Sequence, residues 1–131
     1  MLGSTGFAFN RTRNAYLATH LSVADTFWSR LFGLMAANPV AFPMGHGLWI
    51  VPSRGVHTFA MRFPLDLAYL DSRKEVIYVA HGLKPWRMAP VNLRTRSVIE
   101  LPGNTLKSTG TLIGDEIEIA IGNRPGQITR E

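Results

Sequence analysis

The chain has 131 residues, which is the usual length of one domain and leaves no room for a second of normal size. It contains no cysteine, and this excludes disulfides, a cysteine nucleophile and cysteine-ligated zinc. The 14 Lys and Arg residues against 9 Asp and Glu give a formal charge of +5, but they form no basic run of the kind that binds nucleic acid. With no signal peptide or membrane helix in the pattern, we expect a cytoplasmic protein, with one domain over residues 1–121 and a polar, frayed tail over 122–131.

The predicted elements of the first half are short and are separated by Gly, Pro and Asn. Residues 15–23 alternate between apolar and polar side chains, which predicts a strand. Asp25 is placed to cap a following helix, and apolar residues spaced by three and four predict one short helix near 25–35. After a loop rich in Gly and Pro, residues 48–51 predict an apolar strand that Pro52 ends.

The second half predicts more strands than helices. Two apolar runs joined by the polar residues 71–74 predict a β-hairpin at 65–80. Residues 97–101 predict another strand, 103–109 contain room for one helical turn, and 116–121 alternate Glu with Ile as a strand with one wet face. The chain is therefore predicted to be α+β and mostly β, with its short strands forming a small barrel-like or sandwiched sheet.

Two segments carry a resemblance to a known family. Residues 26–35 (TFWSRLFGLM) and residues 56–66 (VHTFAMRFPLD) closely resemble the domain-of-unknown-function 192 family. Weaker similarity follows at residues 76–79, 83–87 and 97–103, so that the resemblance spans roughly residues 14–121 in one order. It implies a compact, strand-rich α+β domain and supplies no mechanism, because the family's activity is not established.

Two carboxylates fall in apolar surroundings. Asp66 shares a predicted strand face with Ala68 and Leu70, and Glu100 lies within an apolar run. Burying an unpaired charge costs several kcal/mol, so each carboxylate needs a partner. For Asp66 the candidates are backbone donors, Arg62, Arg87 and His57, and for Glu100 they are Arg30, Arg62, Arg87 and Arg96. A structural ion pair and a site carboxylate are both open readings.

Other candidate site residues lie in two loops. His57 and Thr58 offer an imidazole and a hydroxyl that can converge on a ligand, although a lone histidine is also a common satisfied polar group. Trp86 and Arg87 can stack on a planar group and bind a carboxylate or phosphate. Alternatively, Trp86 covers the edge of the core and Arg87 pairs with a buried carboxylate.

Metal, cofactor and hydrolase motifs are missing from the sequence. The histidines are widely spaced and form no ligand motif, so we predict no metal site. There is no glycine-rich phosphate loop and no nucleophile elbow, so we predict neither a cofactor nor a hydrolytic triad. The four histidines are His20, His46, His57 and His81.

This mixture of cations, carboxylates and one histidine favours binding over catalysis. We predict a binding or accessory module for a small polar or anionic molecule or a peptide carboxylate, at a surface built by residues 53–66 and 84–87. One alternative is a small enzyme in which Asp66 orients His57 as acid or base. Another is weak nucleic-acid binding through the net charge. The ligand-binding candidates are Arg30, His57, Thr58, Arg62, Asp66, Trp86, Arg87 and Glu100.

Overall fold

The computed structural model describes residues 6–24, 42–55, 63–84 and 89–122. These ranges contain seven strands and one short helix, α1. The strands are β1 (Gly6–Asn10), β2 (Ala15–Ala24), β3 (His46–Ile50), β4 (Leu65–Leu70), β5 (Val76–Leu83), β6 (Ser97–Pro102) and β7 (Ile117–Ile121), and α1 is Thr105–Thr109. The helix predicted near 25–35 lies outside the described residues, as does the tail from 123 onward.

All seven strands belong to one sheet in the order β5-β4-β6-β3-β2-β1-β7. Neighbouring strands are antiparallel except for β2 and β3, which are parallel. The sheet curls until its two edges approach each other, and a bridge joins Glu75, before β5, to Glu116, before β7. The prediction of a mostly β, barrel-like fold is confirmed in the form of a curled half-barrel.

Most of the predicted strands are present near their predicted bounds. The hairpin at 65–80 is formed by β4 and β5, and its turn is held by Asp71, whose Oδ1 accepts the N–H groups of Arg73 (2.9 Å) and Glu75 (3.0 Å). Lys74 completes the turn at φ 60°. The predicted helical turn is α1. The structure adds β1, which the sequence did not predict because its residues, GFAFN, show no alternation between apolar and polar side chains.

The curled sheet has a hydrophobic cluster on each face, which we call face A and face B. On β4, Leu65, Leu67 and Tyr69 point to face A, whereas Ala68 and Leu70 point to face B. This division follows from the two-residue period of a strand. On β6 the same alternation sends Val98 to face A, and Ile99 and Leu101 to face B.

No helix within the described ranges is both long enough and apolar enough to cross a membrane.

Candidate functional site

Two of the sequence-predicted site residues, Asp66 and Glu100, lie within the described structure. The other six are outside it, and their roles stay predictions. They are Arg30, His57, Thr58, Arg62, Trp86 and Arg87.

Asp66 is a fully buried residue of β4 whose carboxylate is bound on both oxygens. Oδ1 accepts the N–H of Gly82 at 2.8 Å, and Oδ2 accepts the N–H of Leu106 at 2.9 Å. Leu106 is in the first turn of α1, where the N-cap residue Asn104 makes no capping hydrogen bond with its own side chain. Asp66 therefore caps α1 from a neighbouring strand, in the place a local capping side chain would take. Backbone donors were among the partners predicted for it.

Glu100 is also buried, with 4% of its surface exposed, but its surroundings are apolar. On β6 it lies between Leu48 of β3 and Leu67 of β4, which both belong to the face A cluster. Its Oε1 has no hydrogen-bond partner among the described residues. Burial raises the pKa of Glu100 to about 8, so the side chain is mainly a neutral carboxylic acid at pH 7.

The predicted cation partner of Glu100 is not found in the described part of the chain. Arg96 is exposed, and no ion pair within these ranges joins it to Glu100. The reason is that Arg96 precedes β6 and its side chain lies at the end of the sheet, four residues from Glu100 along the strand direction. The other three predicted cations, Arg30, Arg62 and Arg87, lie outside the described residues, so pairing of Glu100 with them stays a prediction.

Asp66 and Glu100 lie on opposite faces of the sheet. Asp66 is paired with Leu101, and Glu100 is paired with Leu67. Because side chains alternate along a strand, Asp66 points to face B with Ala68, and Glu100 points to face A with Leu67. The two carboxyl groups are neighbours in the backbone ladder but are separated by the sheet.

An open cleft of about 410 Å³ lies at the end of the sheet where β3 stops and β6 starts. The two walls are joined by a backbone hydrogen bond from Ser53 N–H to the Arg96 carbonyl, at 2.9 Å. The Ser53 hydroxyl donates to the Gly55 carbonyl at 2.8 Å, which holds the first wall in a tight turn. The lining residues are Pro52, Ser53, Arg54, Thr95 and Arg96.

Thr95 is the unusual residue of this cleft. It is fully buried, yet its hydroxyl has no hydrogen-bond partner within the described residues. Arg54 and Arg96, on either side, are exposed, and neither forms an ion pair in the part of the chain that the structure describes. The cleft thus has two exposed guanidinium groups, and its lining includes a buried hydroxyl without a partner among the described residues.

The loops around the cleft add positive charge. Arg73, Lys74 and Arg94 lie in turns at the same end of the sheet, because β3 and β4 both end there and β6 begins there. Asp71 in the same region already has partners. Burial disfavours its charged form, but the N–H groups of Glu75 and Arg73 and the charges of Arg73 and Arg94 outweigh that effect and lower the pKa of Asp71. The end of the sheet is therefore basic.

Sequence reasoning included Ser53 and Arg54 in its predicted surface but missed Thr95. The sequence does contain a feature that could have indicated Thr95. In Arg94-Thr95-Arg96, a hydroxyl lies between two cations directly before an apolar strand. What the sequence does not show is that the loop after β3 lies against this segment. Within the described ranges, no group of three or more His, Asp or Glu side chains is arranged to hold a metal ion.

The fold and the cleft define a small curled-sheet domain with a basic open end. The chain belongs to the domain-of-unknown-function 192 family, described as "Uncharacterized ACR", whose model matches residues 8–119. A protein of Pyrococcus abyssi from the uncharacterised UPF0127 family is 32% identical over 119 residues, which are 86% of this chain and 97% of that protein. The family resemblance seen in the sequence is thereby confirmed.

Two solved structures share the fold. A protein of unknown function from Novosphingobium aromaticivorans aligns with a TM-score of 0.73 and 18% identity, over 87% of this chain and 83% of that one. A Sinorhizobium meliloti protein, solved as a candidate transcription regulator, aligns with a TM-score of 0.74 and 19% identity, over 91% and 97%. At these identities the likeness concerns the fold alone.

Proposed function

We propose that this protein is a binding module for a small molecule or peptide end that carries a carboxylate or phosphate group, and that the cleft between Arg54 and Arg96 holds this group. The observation that carries the proposal is the buried Thr95 hydroxyl without a partner, which lies between two arginines that have no ion pair within the described ranges.

The chemistry of the three groups suits an oxyanion. A guanidinium group donates paired hydrogen bonds that match the oxygens of a carboxylate or phosphate. A buried hydroxyl without a partner costs about 1–3 kcal/mol, and an anion oxygen in the cleft would supply the acceptor that Thr95 lacks. The positive end of the sheet favours the approach of an anion over long distances.

Binding is favoured over the enzyme alternative by the state of Asp66. Both of its oxygens accept backbone N–H groups, which is the arrangement of a structural carboxylate. The pairing of His57 with Asp66 stays a prediction, because His57 lies outside the described residues. Nucleic-acid binding through the net charge also stays a prediction, with steep salt dependence as its signature.

The test is a titration of the ¹⁵N-labelled full chain with inorganic phosphate and, separately, with N-acetylglycine as a model peptide end. We expect amide shifts centred on residues 53–55 and 94–96. Arg54→Ala and Arg96→Ala should each weaken binding roughly tenfold, because each removes a charge-assisted contact.

Arg11→Ala is the matched control, since Arg11 is an exposed arginine in the β1–β2 turn and does not line the cleft. It should leave both titrations unchanged. Thermal midpoints of all three variants should stay near that of the parent, because the arginines are exposed. Equal losses in Arg11→Ala and the cleft variants would show nonspecific attraction and would overturn the proposal, as would shifts centred elsewhere.

A further inference from the structure

Two histidines that are far apart in the sequence meet on the parallel strands β2 and β3. The register pairs His20 with His46, and their rings stack with centroids 5.0 Å apart and planes inclined by 13°. Both side chains project on the face A side, as the alternation from Ala24 and Leu48 requires. His20 is exposed and His46 is partly exposed, so solvent reaches the pair.

The hydroxyl of the neighbouring Thr19 contacts both the Gly45 carbonyl and the His20 ring. It donates to the Gly45 carbonyl at 3.4 Å, and its oxygen lies 3.2 Å from His20 Nδ1. A hydroxyl has a single proton, so while that proton is used toward Gly45 the oxygen must accept from Nδ1–H. The proton of neutral His20 is then on Nδ1, and Nε2 has a free lone pair. Metal-binding histidines usually donate their other ring N–H to a neighbouring acceptor in this way.

We propose that His20 and His46 bind one divalent ion of the late transition metals, with Cu²⁺ preferred, and leave its remaining positions to water or an exogenous ligand. Two imidazoles at metal–nitrogen distances of about 2.0 Å place their ring centroids roughly 4.5–5 Å apart, which is the spacing of this pair. The rings need only turn out of the stack, and His20 is exposed and able to do so. The preference for Cu²⁺ follows from the general order of affinities for nitrogen ligands.

This proposed site is separate from the anion cleft. Within the described ranges no third His, Asp or Glu completes a metal cage. His46 is the first residue of β3, and the cleft lies beyond its last residue. Failure of either site therefore leaves the other intact.

The test is a titration of the full chain with Cu²⁺ at pH 7.5 in a buffer that does not bind metals, followed by calorimetry and electron paramagnetic resonance. We expect one ion per chain and a spectrum with two equivalent nitrogen ligands. His20→Gln and His46→Gln should each weaken binding at least tenfold, with Ni²⁺ and Zn²⁺ weaker than Cu²⁺ in the parent.

His81→Gln and His57→Gln are the matched controls, and both should bind Cu²⁺ as the parent does. Thr19→Val should weaken binding about tenfold, and Thr19→Ser should restore it, because only the hydroxyl is needed to hold the tautomer. The His20 variant changes an exposed side chain, so its metal-free thermal midpoint should match that of the parent. Unchanged affinity in the His20 variant, or loss in the His81 or His57 variant, would overturn the proposal.

Discussion

Asp66 and Glu100 lie on adjacent strands and are both buried, but the two faces of the sheet treat them in opposite ways. On face B, Asp66 meets the N–H groups of Gly82 and Leu106 and acts as a helix cap. On face A, Glu100 is flanked by Leu48 and Leu67, and burial keeps it protonated near neutral pH. The role of a buried carboxyl group therefore depends on the hydrogen-bond donors within its reach. Successive side chains of a strand point to opposite faces, so a shift of one position along the strand changes which donors these are.

A second contrast separates two other buried polar residues, Asp115 and Thr95. Asp115 is buried beside the bridge that joins the sheet edges, and its Oδ2 accepts from Asn10 Nδ2 (2.9 Å), Arg13 Nε (3.0 Å) and Leu112 N–H (3.0 Å). Burial opposes ionisation of Asp115, but these donors outweigh it and lower its pKa. At the cleft, the buried Thr95 hydroxyl has no such partner in the described chain. Asp115 therefore has partners that hold the fold, whereas the Thr95 hydroxyl is the group that the proposed anion site would use.

The largest effect should come from Asp66→Ala. The variant leaves the N–H groups of Gly82 and Leu106 without an acceptor in a buried position, and each costs about 1–3 kcal/mol. We expect the free energy of unfolding to fall by about 2–5 kcal/mol, measured by urea denaturation at pH 7. Glu118→Ala, at an exposed position on β7, is the control and should change stability by less than about 0.5 kcal/mol. If Asp66→Ala changed stability as little as Glu118→Ala does, Asp66 would not be acting as a structural cap, and the contrast with Glu100 would be lost.

Glu100→Gln should change how stability depends on pH. The carboxyl pKa is about 8 in the folded chain against 4.5 ordinarily, so the unfolded chain loses its proton first. The contribution of Glu100 to the free energy of unfolding is therefore largest below pH 4.5. It falls as the pH rises toward 8 and is constant above that. The parent should lose on the order of a few kcal/mol across this window, and the Gln variant should lose less.

Urea unfolding at pH 5, 6.5 and 8 measures this difference. Parent and Glu100→Gln should be most alike at pH 5 and differ most at pH 8, where the variant is the more stable. Glu118→Gln, which removes an exposed carboxylate, should follow the parent at every pH. Parallel curves for the parent and Glu100→Gln would mean that Glu100 is ionised in the folded protein.

The smallest effect should come from a matched pair of buried threonines. Thr95 has no partner for its hydroxyl in the described chain, whereas the hydroxyl of Thr111 contacts Asn10 Nδ2 at 3.0 Å and Thr109 Oγ1 at 2.8 Å. Thr95→Val should be neutral or stabilising by up to about 1 kcal/mol, and Thr111→Val should cost about 1–2 kcal/mol. Thermal denaturation distinguishes the two, and an equal loss in both would show that Thr95 has an unrecognised partner in the fold.

The sequence by itself determined the class of the fold and several of its elements. Alternation predicted β2 and β7, and two apolar runs joined by a polar turn predicted the hairpin of β4 and β5. It also predicted that Asp66 needs a buried partner, since its position among Ala68 and Leu70 follows from the two-residue period. β1 escaped prediction because it shows no alternation between apolar and polar side chains.

Only the tertiary structure decided which residues meet. Strand order and register bring Arg54 to Arg96 and His20 to His46, and they place Asp66 and Glu100 on opposite faces. No local pattern encodes these contacts, because they join segments from distant parts of the chain whose pairing depends on how the whole sheet curls. Periodicity acts within one strand, whereas a site is formed between strands, and this is why the elements were predictable and the cleft and the histidine pair were not.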